Sequence, residues 1–251
     1  MNIILKDFLF LIKKTFLSEK KLLRKRIIRS IKNSYEKEIS ILPQLIKPNS
    51  DTIDVGVYRG VYSYELSRLS NHLHAFEANP ILYKYLKINL TKIIKNITLY
   101  NFALSNKNGT TRLRVPIRRK TFFQSQFEEK YHIGLGTIQE NNIFEKFDEF
   151  NIKTIKLDNI KFKNKISFIK IDVEGHELSV IEGAKNTIKK NKPNLLVEIE
   201  EKHSHKKLSE SLNYIESLRY KTYILDNDKL IEFNKTMKIK NQINFIFIPY
   251  E

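Results

Sequence analysis

The stretch ISFIKIDVEG, residues 166–175, limits the fold more than any other part of the chain. It is an apolar run broken by Lys170 and ending in acids. Polar and apolar residues do not alternate along it, so neither face can lie against water. That pattern belongs to a strand inside a parallel sheet, covered by helices on both sides. NLLVEIE, 194–200, begins another such strand, and Thr52–Val55, HLHAFE (72–77) and ITLYNFAL (97–104) read as strands before them. Helical stripes lie between: Tyr62, Leu66 and Leu69; then Leu82, Leu86, Leu90 and Ile93 after a start at Pro80; then Leu178, Ile181, Ala184 and Ile188, stopped by Lys192-Pro193. YKTYIL and NFIFIP close the chain as two more strands. Strands alternating with helices need right-handed crossovers, which gives an α/β fold with a mostly parallel, doubly wound sheet. A chain of 251 residues fits one large domain with a sizeable core.

One stretch departs from this rhythm. Residues 105–152 are too long for an ordinary connection. Asn108-Gly109 reads as a hairpin turn feeding TRLRV, followed by the basic, aromatic IRRKTFFQSQFEEKYHIGLGTI. An insertion over the carboxyl ends of a parallel sheet is a natural place for substrate contacts.

The chain carries 45 Lys and Arg against 28 Asp and Glu, a net charge of +17. Nucleic acid, an anionic membrane face or an acidic substrate would each suit that balance. A joint richness in Lys, Asn and Ile also follows from A/T-rich codons, so charge alone names no partner. There is no cysteine, which excludes a disulfide scaffold and thiolate chemistry and suits a cytoplasmic protein. The N-terminal apolar patch is interrupted by Lys6, Asp7, Lys13 and Lys14, short of the ~20 apolar residues of a spanning helix. Residues 1–40 hold 11 Lys and Arg against four Asp and Glu, with apolar Phe8, Ile12 and Phe16. They form either a helical lead-in packed on the domain or a basic amphipathic helix at the inner membrane face.

IDVGVYRG, 53–60, names a ligand class. Two glycines after an apolar strand suggest a nucleotide loop, but Asp54 lies where a pyrophosphate would meet a buried negative charge. A phosphate-free, positively charged ligand suits the loop better, and S-adenosylmethionine is one: a sulfonium, an ammonium, a carboxylate and a ribose diol. Gly56 and Gly60 would let backbone approach closely, and Asp54 would favour the cationic end. Glu77, 23 residues after Asp54, closes the second strand where an acid can accept from both ribose hydroxyls. The competing readings are an ordinary tight turn for the glycines and a surface acid for Glu77.

A second acidic cluster follows the fourth strand: Asp172, Glu174, His176 and Glu177, with Gly175 for the turn. His176 could take a proton from a substrate hydroxyl, with Asp172 or Glu174 orienting the imidazole. Glu177 fits better as a helix cap. No metal is expected, since no His-rich or Cys-rich spacing exists; Asp172 with Glu198 or Glu200 is the alternative for a divalent cation. His203 and His205 read as a solvated loop pair.

The ordered runs IDVGVYRGVYSYELSRL, HAFEANP, NFALSNKNG, IKIDVEGHELSVIEGA and LLVEIEEKH, spanning about 50–205, resemble the FkbM-type family of S-adenosylmethionine-dependent methyltransferases. The resemblance implies a Rossmann-like class I methyltransferase domain over 49–251, preceded by a basic helical segment at 1–48, with 105–152 as a substrate cap. It implies methylation of a hydroxyl on a glycan, glycolipid or secondary metabolite, cofactor contacts at Asp54, Gly56, Gly60 and Glu77, and active-site residues Asp172, Glu174, Gly175 and His176. Val57-Tyr58 stand where the family commonly has Ala-Asn, and GLGT at 134–137 is expected near substrate. The alternatives are an RNA methyltransferase using the lead-in with Arg118, Arg119, Lys120, Phe122 and Phe123, or a non-catalytic membrane-surface module.

Overall fold

The computed structural model describes residues 18–34, 36–117, 136–138, 146–201, 207–234, 237 and 243–250. The N-terminal residues Phe8, Ile12 and Phe16, the basic aromatic run from Arg118, Gly134, and His203 and His205 lie outside them.

The strands are β1 (Asp51–Val55), β2 (His72–Phe76), β3 (Ile97–Tyr100), β4 (Ala103–Leu104), β5 (Gly109–Pro116), β6 (Phe147–Ile155), β7 (Ile166–Ile171), β8 (Asn194–Glu198), β9 (Tyr220–Asp226), β10 (Lys229–Glu232) and β11 (Asn244–Pro249). The helices are α1 (Glu19–Lys32), α2 (Leu42–Leu45), α3 (Val61–Leu69), α4 (Pro80–Asn89), α5 (Glu177–Glu182), α6 (Lys185–Asn191) and α7 (Leu208–Glu216). Eight strands form one sheet in the order β10-β9-β11-β8-β7-β1-β2-β3. From β3 to β8 all pairings are parallel, while β11 runs antiparallel between β8 and β9. This is the doubly wound α/β sheet that the alternation predicts. Chain order reverses between β1 and β7, so a crevice opens there, beyond the carboxyl ends of the strands.

Register decides which residues face it. Asp54 pairs with Ala75 on one side and Lys170 on the other, and Lys170 pairs with Leu196. Side chains alternate faces along each strand. Asp54, Lys170 and Asp172, Glu77 just past β2, and Glu198 at the end of β8 therefore share one face. The core beneath them contains Leu73, Ala75, Phe168, Leu196 and Ile246 and is covered by α1 to α4. The opposite face, with Ile53, Val55, Ile169, Ile171 and Val197, packs on α5, α6 and α7.

The lead-in is built into the first of these cores. Leu23, Ile27, Ile41, Leu42 and Leu45 are buried in it, so the apolar stripe of α1 is turned inward. Lys20, Lys21, Arg24, Lys25 and Arg29 are left exposed. Packing on the domain, rather than an apolar face for a membrane, is what the structure gives residues 19–32. No helix among the described residues is long and apolar enough to cross a membrane.

Three sequence expectations change. ITLYNFAL is two strands: the side-chain amide of Asn101 donates to the Glu77 carbonyl at 2.9 Å, the chain bends, and Ala103–Leu104 joins a second sheet, β4-β6-β5. Asn108-Gly109 is not a hairpin turn, because β6 lies between β4 and β5, parallel to one and antiparallel to the other. The helix expected across Leu178–Ile188 breaks at Gly183, where the Ser105 carbonyl oxygen fills the space a Cβ would need, at 2.0 Å. Pro80 does open α4, with the Asn79 side chain capping the amides of Ile81 and Leu82.

Gly56, at φ +87°, has the Asp172 carbonyl oxygen 1.9 Å from where a Cβ would stand; at Gly60, φ +75°, the nearest atom is a Leu90 methyl at 2.8 Å. Both conformations disfavour a side chain, and neighbouring protein adds to that, backbone at Gly56 and the end of the Leu90 side chain at Gly60. Gly56→Ala should thus destabilise the protein by about 3 kcal/mol or more, and Gly60→Ala by clearly less, in denaturant midpoints. Equal losses would contradict the β1–β7 packing described.

Candidate functional site

Lys170 is the centre of the crevice. Its side chain is 7% exposed, and its Nζ donates to the Gly56 carbonyl at 2.9 Å and to Asp172 Oδ2 at 3.0 Å. Asp54 Oδ1 is 3.8 Å away, and the ammonium lies over the Tyr62 ring, 5.3 Å from its centroid. Burial works against the charge. The carboxylates of Asp172 and Asp54 more than offset it, so the lysine holds its proton above the usual range.

Asp54 is fully buried. The Ser63 hydroxyl from α3 donates to its Oδ2 at 2.5 Å, while Oδ1 has no hydrogen-bond partner among the described residues. Burial raises its pKa, with Lys170 and Ser63 acting against the rise. Asp54 is buried at the loop as expected, with a lysine beside it that the sequence reading did not include.

Glu77 is buried and held by backbone. Its Oε1 accepts from Asn79 N–H at 2.9 Å and its Oε2 from Tyr58 N–H at 3.2 Å. Burial pushes it up to about 7, against those two hydrogen bonds. Tyr58 makes its bond from a left-handed backbone, φ 49°. An asparagine tolerates that conformation better than a tyrosine does, so the Val57-Tyr58 departure places some strain in the loop.

The second cluster divides. Asp172 points to Lys170 as above. Glu177 is buried, and its Oε1 accepts from the amides of Val173 and Gly175, which makes it the loop's internal cap. Glu174 and Gly175 both have positive φ, and the Glu174 carbonyl accepts from Thr137 Oγ1 at 3.1 Å. This brings the expected substrate-proximal run, at least through Thr137, to the same rim. His176 behaves differently from expectation. Its Nε2 is 3.0 Å from Ser105 Oγ; Ser105, rather than Asp172 or Glu174, orients the ring. Burial lowers its pKa to about 4, so the imidazole is neutral and only weakly basic near pH 7.

Sequence reasoning missed Lys170 as a functional group, though a lysine inside an apolar strand is itself a signal. It also missed the lead-in's acids. Buried Glu38 takes a long hydrogen bond from Tyr62 at 3.5 Å. Glu36 lies in the field of Lys170 and Asp172, its pKa raised chiefly by burial. Glu198 completes the rim: burial first, then Asp172, push it up to about 8, with Lys170 opposing. Among the described residues, no group of three or more His, Asp or Glu is placed to hold a metal ion.

Lys170→Met would leave Asp54 and Asp172 without their cation, at a cost of about 3 kcal/mol or more at pH 7. Asp54, its pKa already raised in the fold, would rise further, so the stability kept by its neutral form is present at low pH and lost as pH rises. The variant should accordingly lose less at pH 5 than at pH 8, and adding Asp54→Asn should recover part of the deficit. A pH-independent loss in chemical denaturation would refute the ion pair's role.

A model of the methyltransferase FkbM domain matches residues 54–225. Among solved structures, the methyltransferase FkbM from Methylobacillus flagellatus KT is 18% identical, with a TM-score of 0.52 over 84% of this chain and 47% of its own. The chain thus spans about half the length of that protein, and the likeness establishes the fold. A TehB-like SAM-dependent methyltransferase from Corynebacterium glutamicum is 9% identical, with a TM-score of 0.48 over 92% and 98% of the two chains. A Streptococcus mutans protein solved in complex with SAH is 14% identical, with a TM-score of 0.46 over 85% and 94%. No curated protein matches the sequence.

Proposed function

The chain belongs to the FkbM methyltransferase family, and we propose that it moves the methyl group of S-adenosylmethionine to a hydroxyl oxygen of a glycan, glycolipid or secondary metabolite. The observation that carries this reading is the acid-rich face at the switch point. Asp54, Glu77, Asp172 and Glu198 crown four adjacent strands, with one lysine buried among them. A pyrophosphate would meet carboxylates there; a sulfonium and an ammonium meet an attractive field.

The residues fit the cofactor. Asp54 Oδ1 is a buried acceptor lacking a donor, of the kind a bound ammonium or water would satisfy. Glu77 keeps a free lone pair on each oxygen beyond its two backbone bonds, which suits a ribose diol. Gly56 and Gly60 set the turn that carries the Tyr58 amide, and Lys170 binds the Gly56 carbonyl of that turn. When bound, the cofactor supplies an electrophilic methyl group on a positively charged sulfur.

The chain's own work is then alignment, exclusion of water and acceptance of one proton. Asp172 and Glu174, at the end of β7, border the acceptor's side of the crevice. His176, neutral and bonded to Ser105, serves as a hydrogen-bonding wall. Within 105–152, Thr137 is joined to the Glu174 carbonyl at this rim, which supports reading that insertion as the acceptor's cap. A hydroxyl acceptor fits a rim that offers proton acceptors.

Calorimetry should show S-adenosylmethionine binding to the protein and no heat from NAD. Glu77→Ala should weaken that binding by roughly tenfold or more, the worth of a hydrogen-bonding carboxylate. Absence of any heat with S-adenosylmethionine, or tight NAD binding, would overturn the reading.

A further inference from the structure

Resting on the methyl-transfer reading, the structure points to Glu198 as the acceptor of the hydroxyl proton: we propose that it is the catalytic base of this site. The argument begins with register. Ile171 pairs with Val197, so Glu198 closes β8 directly beside Asp172 and on its face of the sheet. Glu77 and the cofactor loop occupy the β1–β2 side of the switch point. Glu198 is on the other side, where an acceptor must approach to reach the methyl group from outside.

Four of the site's other acids are engaged. Asp54 is bonded to Ser63, Asp172 to Lys170, Glu77 to two backbone amides, and Glu177 to two more. His176 is tied to Ser105. Glu198 has no hydrogen bond or ion pair among the described residues, yet it is half-buried in a crevice. The groups that face it are Asp172 and Lys170 of β7, Glu174 of the following loop, Glu200 beyond β8, and Tyr62 of α3. Partial burial first, then Asp172, with Glu174 and Glu200 adding to it and Lys170 opposing, raise its pKa to about 8, better matched to a base than His176, which burial lowers to about 4.

In the step, the acceptor oxygen forms a bond to the methyl carbon while the carbon–sulfur bond breaks, its electron pair remaining on sulfur. The hydroxyl proton passes to a Glu198 carboxylate oxygen. Sulfur ends neutral and the glutamic acid neutral, so charge balances.

An acceptor-independent probe tests this. Sinefungin carries an amine-bearing carbon where the cofactor has its methyl sulfonium, so its ammonium stands where the methyl group would be. S-adenosylhomocysteine has nothing there. Titrating both into wild type and E198Q at about pH 8, sinefungin should lose roughly tenfold or more in the variant, while S-adenosylhomocysteine changes less than about twofold. If E198Q does not fold, E198D, which withdraws the carboxylate by one methylene, should lower the sinefungin preference in the same direction. An unchanged preference, or a parallel loss of both ligands, would overturn the assignment. Failure of both ligands to bind wild type would instead defeat the methyl-transfer reading on which it rests.

Discussion

A single buried ammonium holds this crevice together. Lys170 joins β7 to the loop after β1 through the Gly56 carbonyl, to β1 through Asp54, to its own strand end through Asp172, and to α3 through the Tyr62 ring. An isolated charge at that depth would lose its proton or destabilise the fold. Here two carboxylates and a carbonyl surround it. The dependence runs both ways, because Asp54 and Asp172 can be buried or half-buried side by side only with that cation between them. Through Tyr62 the same arrangement reaches Glu38, so the lead-in is tied to the site as well as to the core.

The outer and inner fields of the protein differ in sign. The chain carries +17 overall, and the exposed side of α1 is a row of lysines and arginines. The crevice, by contrast, gathers Asp54, Glu77, Asp172, Glu198 and the lead-in's Glu36 and Glu38 around one lysine. A ligand chosen by the crevice is therefore chosen against the general charge of the molecule. The net charge, taken alone, points towards polyanions and away from the ligand the site suits.

Much of this was legible in the residues. Unalternating apolar strands gave the doubly wound sheet, and Asp54, the glycines and Glu77 gave the loop and its chemistry. The parity of β7 alone puts Lys170 and Asp172 on one face. What could not be read was non-local. Which strand lies beside β1, and in what register, decides that Lys170 faces Asp54 and that Glu198 stands beside Asp172. The break at Gly183 depends on the Ser105 carbonyl, 78 residues away in sequence, and the His176 contact on the Ser105 hydroxyl, 71 residues away. The second sheet escaped because β4 is two residues long and was read as the end of β3. Asn108-Gly109 has a hairpin's composition, but its neighbours in the sheet are set by β6.

The central claim is that Lys170 stays charged in the fold. A lysine whose pKa is raised contributes stability that is complete below its unfolded value of about 10.5 and lost as pH climbs through the folded one. Carbon-13 NMR of the lysine Cε reads that charge directly. The Lys170 resonance should keep its ammonium shift up to about pH 11, while exposed lysines titrate around it. A Lys170 signal that moves to the neutral-amine position near pH 8 would mean that the carboxylates of Asp54 and Asp172 do not hold the cation, and the account would fall.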